Sequence, residues 1–342
     1  MSSGAGALMR AEMAEQPEVL RRFADRRTEL AARVAEALPE APRGIVLVAR
    51  GSSDHAAIYG RYLLEVATRR PVSFAAPSLH TLYHSTTDYR GYLAIAISQS
   101  GRTPEIVTVL QALQRAGATG VAITNTSPSP LQEVADASID LAAGEERAIP
   151  ATKTFTAQLA AFAVIAEAVG TPPWGAAEWA RLPEAVTEVL DDDAAAAPAA
   201  EAVGTATGLI AVARGYLYPI ALEAALKLKE TTFILAQGYS AADLRHGPIV
   251  AVSREVPVVA FDAPGPAGDD IAALRSELEA RGARVLRSGV GAGDLPLPAG
   301  LPEALVPLPA AVRAQQLARA VALHRGLDPD QPEGLRKVTS TY

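Results

Sequence analysis

One motif occurs twice in this chain, and the spacing of the two copies constrains the fold more than any other feature. "GIVLVARG", Gly44 to Gly51, returns as "GLIAVARG", Gly208 to Gly215, an offset of 164 residues. At the same offset "LAIAISQSG", ending at Gly101, lines up with "VVAFDAPG", ending at Gly265. Each is followed by a helix-period segment ("PEIVTVLQALQRAGA", "DDIAALRSELEARGA") and then by another apolar strand ("GVAITN", "RVLRSG"). Short continuous apolar runs read as strands covered on both faces, and strands alternating with helices give a parallel sheet with right-handed crossovers. The expected fold class is α/β: two tandem copies of one unit, each a parallel sheet flanked by helices, a flavodoxin-like variant without a nucleotide fingerprint. The expected division is a helical segment over 1–40, the first copy over 41–175, an Ala/Pro/Trp-rich connection over 176–200, the second copy over 201–325 and a tail over 326–342.

With 342 residues, 49% hydrophobic and 20% charged, the chain can fill two cores. Its formal charge of −7 gives no overall attraction to nucleic acid or to an anionic membrane, so any phosphate recognition has to be local. Zero cysteines exclude disulfides, thiolate zinc sites and cysteine nucleophiles. The start has no apolar signal core, and no apolar run reaches the ~18 residues of a membrane span. "AAFAVIAEAVG" contains Glu167, and "GLIAVARGYLYPIALEAA" contains Arg214 and Pro219. A cytoplasmic protein that binds neither nucleic acid nor membrane is expected.

In "AIAISQSGRTPE", Ala94 to Glu105, a buried strand ends in a turn, Thr103 is placed to cap a helix and Pro104 to start it. Such a junction points backbone N–H groups and the positive end of a helix at one spot, here among Ser98, Gln99, Ser100 and Thr103. An ordinary βα turn that satisfies its own helix end has the same appearance. A second donor pair, Ser52 and Ser53, follows Gly51 at another strand-to-helix junction, and open α/β sheets bind ligands beyond the carboxyl ends of adjacent strands. Two converging clusters favour an anion site, and the lack of a Walker motif or spaced glycine fingerprint suits a monophosphate better than a nucleotide. In the second copy Asp262, Ala263 and Pro264 replace Ser98, Gln99 and Ser100, so no anion site is expected there.

"YPIALEAALKLKE" places Glu223, Lys227 and Glu230 on one helical face. A solvated Glu-Lys ladder is the plain reading, whereas the Ala and Leu around it suggest burial, where a carboxylate needs a partner or a task. His246 follows in "LRHGP", a turn where a histidine is ordinarily structural or exposed.

Taken in order, "EQPEVL", "GSSDHAAIYGRYLLE", "SQSGRTPE", "PATKTFTAQLAA", "YPIALEAALKLKE", "LRHGP" and "DPDQPEGLRKVT" resemble the sugar isomerase (SIS) double-domain family over nearly the whole chain. That family includes the isomerase half of glutamine:fructose-6-phosphate aminotransferase and the stand-alone SIS-type glucosamine-6-phosphate deaminases. The resemblance implies that Ser53, Ser98, Gln99, Ser100 and Thr103, with Ser52 as a weaker member, hold a sugar phosphate. It implies that Glu230 moves a proton between C1 and C2, that Lys227 orients the sugar, that His246 from a neighbouring subunit helps open the ring, and that Lys337 forms an imine with a ketose. A homodimer acting on a small-molecule sugar phosphate, with no cofactor and no metal, follows. Three departures bear on which sugar is bound: Ala151 where the family often has a hydroxyl, Arg50 where it often has cysteine, and the ending "VTSTY". About 40 residues precede the first strand and no cysteine is present, so glutamine hydrolysis is not expected. The leading expectation is glucosamine 6-phosphate plus water to fructose 6-phosphate plus ammonia, reversibly. The alternatives are a fructosamine-6-phosphate deglycase and a phosphosugar-sensing protein without turnover.

Overall fold

In the computed structural model, which describes residues 4–38 and 41–337, the chain divides into two compact units. One holds residues 19–145 and 157–175; the other holds residues 4–18, 146–156 and 176–337. The first is built on five strands, β1 (Gly44–Val48), β2 (Val72–Phe74), β3 (Tyr92–Ile97), β4 (Thr119–Thr124) and β5 (Ala137–Asp140). They lie in the order β2-β1-β3-β4-β5, and every pair is parallel. Alternate residues of the central strands (Val46, Val48, Ala94, Ala96, Ala122) meet Ile106, Val109, Leu110 and Leu113 of helix Pro104–Arg115. The i, i+3, i+4, i+7 spacing of those four residues gives the helix its apolar face.

The second unit repeats this plan with β6 (Gly208–Ala213), β7 (Leu235–Ser240), β8 (Val258–Asp262), β9 (Val285–Val290) and β10 (Leu295–Leu297). Its order, β10-β9-β8-β6-β7, is the first sheet's order read from the other edge, and all its pairs are parallel. Ile210, Val212, Val258 and Ala260 pack on Ile271, Leu274 and Leu278 of helix Gly268–Ala280. In each sheet the strand order reverses between the first and third strands of the copy, which in α/β sheets is where ligands bind.

The Ala-rich stretch between the copies is helical and belongs to the second unit's core. Helix Ala176–Asp191 buries Trp179, Leu182, Val186 and Val189, and helix Ala196–Val203 follows it. Arg313 and Gln316 of helix Pro307–His324 tie this segment down by donating to Asp192 and to the Val189 carbonyl. The tail is tied to the chain start. Asp328 accepts from Gly6 N, and Asp330 accepts from Leu8 N and Met9 N, so two carboxylates satisfy the open N–H groups that begin helix Ala7–Ala14. Among the described residues no helix is long and apolar enough to cross a membrane.

Helix Tyr218–Thr232 lies against edge strand β7 at Gly238, where a Cβ would stand 2.7 Å from the Leu222 Cα and 2.9 Å from the Ala221 carbonyl oxygen. Only backbone faces backbone here, so nothing flexible can give way. Gly238→Ala is expected to cost about 1–3 kcal/mol through overpacking, read as a lower urea midpoint at unchanged slope. An unchanged midpoint would show that the helix has room to move.

Candidate active site

In the first unit β1 and β3 pair along their length, ending with Val48 beside Ala96, so the loops after them leave side by side. Each leads into a helix. Gly51, at φ 59°, precedes helix Ser52–Thr68, and Thr103 precedes helix Pro104–Arg115; neither helix has a side-chain cap. Thr103 was expected to cap its helix and does not, because its hydroxyl pairs with Ser98 Oγ at 3.1 Å. Ser98 and Ser53 are buried, and Ser53 Oγ accepts from Gln158 Nε2 at 3.0 Å. Gln99 and Ser100 are half-buried beside them, Ser100 Oγ accepting from Arg102 N, and Ser52 opens the other helix. All six donor residues thus flank two uncapped helix ends at the switch point, an arrangement suited to a small anion. Arg50 does not add a free charge, since its guanidinium holds the buried Glu105 carboxylate through two hydrogen bonds of 3.0 and 3.1 Å.

The second unit gathers charge instead. Glu223 and Lys227 on helix Tyr218–Thr232 have side chains only 2% and 1% exposed, whereas Glu230 is 23% exposed. Lys227 Nζ donates to Glu230 Oε2 and lies 3.5 Å from Glu223 Oε1. The solvated-ladder reading of this face therefore fails. Burial opposes the Lys227 charge, but Glu223, Glu230 and, further off, Glu146 outweigh it and raise its pKa.

Glu146 joins this group to the tail. Its carboxylate is enclosed and accepts from Thr152 N and Oγ1, from Thr154 N and Oγ1 (2.7 Å), and from Lys337 Nζ at 2.8 Å. Lys337 Nζ also donates to the Ala148 carbonyl at 2.7 Å. Burial alone would raise the Glu146 pKa; the Lys337 charge and the threonine hydrogen bonds overcome it and hold it below the ordinary value of 4.5. Glu12 accepts from the backbone N–H groups of Arg147 and Ala148, and its pKa is raised, chiefly by burial and partly by Glu146. Lys337 thus contacts Glu146 directly, and the Glu146 charge also acts on Lys227, the partner of Glu230. His246 is not in this cluster and stands exposed where helix Ala241–Arg245 ends.

The sequence model of the SIS domain matches residues 40–168 and 206–287, which cover all five strands of the first copy and β6 to the start of β9 in the second. The chain belongs to the SIS-domain family. Over 89% of its length it is 36% identical to the glutamine-fructose-6-phosphate aminotransferase (isomerizing) of Methanothermobacter thermautotrophicus, of which it covers 52%. The chain spans about half the length of the curated relatives it matches. Among solved structures, the C-terminal domain of glucosamine-fructose-6-phosphate aminotransferase from Francisella tularensis superimposes with a TM-score of 0.87 at 27% identity, over 97% of this chain and all of that one. A proposed phosphosugar isomerase from Silicibacter pomeroyi DSS-3 gives 0.83 at 33% identity, over 94% of this chain and 99% of that one.

The residues that sequence reasoning missed in this SIS chain are Glu146 and Glu12. "GEERAIPATK" does place an acid just ahead of the "PATKTF" motif, but nothing local in sequence shows that residues 12, 146 and 337 meet. Because the Glu146 pKa is lowered on folding, the stability it provides is complete above its unfolded value and is lost as pH falls through the folded one. Glu146→Gln is expected to cost about 1–3 kcal/mol at neutral pH, since Lys337 loses its carboxylate. The gap in Tm between wild type and variant should shrink as pH drops below 4.5. A gap that stays constant down to acid pH would deny the carboxylate this role.

Proposed function

We propose that this chain is an aminosugar-phosphate deaminase and isomerase, taking glucosamine 6-phosphate and water to fructose 6-phosphate and ammonia, reversibly. The observation that carries the reading is the Lys227–Glu230 pair: an enclosed ammonium fixes a carboxylate that still reaches solvent. Moving a proton between neighbouring carbons calls for one base at a set position, and a partly desolvated carboxylate meets that need. Glu230 removes the C2 proton of the open-chain aldehyde and returns it to C1. This leaves an imine at C2, which water hydrolyses to the ketone and ammonia.

The other residues take parts that fit their surroundings. Ser53, Ser98, Gln99, Ser100 and Thr103, with Ser52, receive the phosphate through hydroxyl, amide and backbone donors at two uncapped helix ends. His246, exposed in one chain, acts in ring opening for a second copy of the chain in a homodimer. Lys337 forms an imine with the ketose; to add to a carbonyl carbon its nitrogen has to lose a proton and give up the Glu146 contact. In this reading ammonia is taken up or released free; the 342 residues contain no cysteine.

Purified protein given glucosamine 6-phosphate should release ammonia and fructose 6-phosphate in equal amounts, and the reverse reaction should accept ammonium salts but not glutamine. Glu230→Gln keeps the shape and removes the base, so kcat should fall by at least about 10²-fold, along with exchange of the C1/C2 proton with solvent deuterium. If wild-type protein binds the sugar phosphate and releases no ammonia, the deglycase or sensing reading takes its place.

Ser98→Ala combined with Ser100→Ala should raise KM for the sugar 6-phosphate by at least about tenfold, because each lost hydrogen bond to a charged group is worth ~1.5–3 kcal/mol. An unchanged KM would remove these hydroxyls from phosphate binding.

A further inference from the structure

The second copy has the same switch point as the first, yet something already occupies it. β6 and β8 lie side by side there, Ile210 beside Val258 and Val212 beside Ala260. Gly215 and Gly265 follow them at the positions of Gly51 and Gly101, and both have positive φ, 60° and 147°. Glu303 reaches this place from the short turn Glu303–Leu305 that precedes the last long helix. A Cβ on Gly265 would lie 2.2 Å from Glu303 Oε2, and one on Gly215 would lie 3.6 Å from Glu303 Oε1. The two carboxylate oxygens are thus divided between the two loops. Ala267, which holds the position of Thr103 before helix Gly268–Ala280, has its backbone N–H near the same carboxylate. Burial raises the Glu303 pKa and the Ala267 backbone draws it back; burial and the carboxylate together raise that of Tyr216, at the position of Ser52.

We propose that Glu303 is an internal anion standing where the first copy takes its phosphate, so that the second copy is a latent anion site closed by the chain's own carboxylate. The contacts of Glu303 are independent of the deaminase reading; only the choice of phosphate as the ligand rests on it. One further change agrees with a site that no longer takes an external anion. Asp262 replaces Ser98 and is bound by Arg287 through hydrogen bonds of 2.7 and 2.8 Å. Arg214 pairs with Asp270 at 2.8 Å, as Arg50 pairs with Glu105 in the first copy. The local charges are spent on one another, and one backbone N–H with its helix end is left facing Glu303.

The test uses inorganic phosphate as probe in a Ser98→Ala/Ser100→Ala background, which weakens the first copy's contribution, and reads the response of each Glu303 variant against that background. Adding Glu303→Ala should lower Tm and create a saturable recovery with phosphate, about 3 °C at ten times the dissociation constant, that chloride at equal ionic strength does not give. The same background with Glu303 intact, or with Glu303→Gln, whose amide still fills the place, should give no such recovery. Equal phosphate response in all three, or none in the Glu303→Ala protein, would overturn the inference. If Glu303→Ala does not fold in phosphate-free buffer, refolding in phosphate should restore it, and failure to do so counts equally against the proposal. Failure of the deaminase reading would appear instead as absent turnover, with these Tm differences intact.

Discussion

A lysine side chain only 1% exposed sits inside this protein, and the surrounding helix, strand and tail are arranged to keep it there. An isolated buried ammonium costs several kcal/mol, and attraction repays that only where geometry and hydrogen bonding are good. Lys227 has Glu223 one turn before it and Glu230 just under one turn after it, with the field of Glu146 added from another segment. Because Glu223 is as deeply buried as the lysine while Glu230 is not, the two carboxylates have unequal work. One balances the charge inside, and the other is held in place while keeping a face to solvent. This requires the helix to stay fixed against β7, which the bare backbone at Gly238 allows.

The repeat made the fold legible because a 164-residue offset carries strand, turn and helix together, and one order of strands satisfied one copy and then both. The placement of the two donor clusters was legible too, since each cluster is local: Ser52 and Ser53 follow one strand, and Ser98 to Thr103 follow another. Glu146 was hidden because its meaning comes from Lys337 and Glu12, distant in sequence and joined only once Asp328 and Asp330 tie the tail to the first helix. The partner of Arg50 was hidden for a similar reason. Glu105 stands in the first turn of a helix that the sequence treats as a separate element.

The two copies show how one topology diverges at its switch point. Both put glycines at positive φ after the central strands, and both direct a helix start toward them. In the first, short hydroxyl side chains, Ser52, Ser53, Ser98, Ser100 and Thr103, stand at the two loops beside one Arg50–Glu105 pair. In the second, Asp262 is paired with Arg287 and the Glu303 carboxylate lies between the loops. The fold supplies a place for negative charge in each case; the side chains decide whether it comes from outside or from the chain.

Leaving two helices without side-chain caps is a sacrifice, since a good cap is worth about 1 kcal/mol. Thr103 is the residue best placed to recover it, and its hydroxyl is turned to Ser98 instead. Arg50 is held by Glu105, and the chain carries −7 overall. What remains is directional: hydroxyls, one amide and oriented N–H groups that reward an anion only at the right position. On the proposed phosphate reading, the stability forgone at the helix ends is exchanged for selectivity toward a small, well-placed anion.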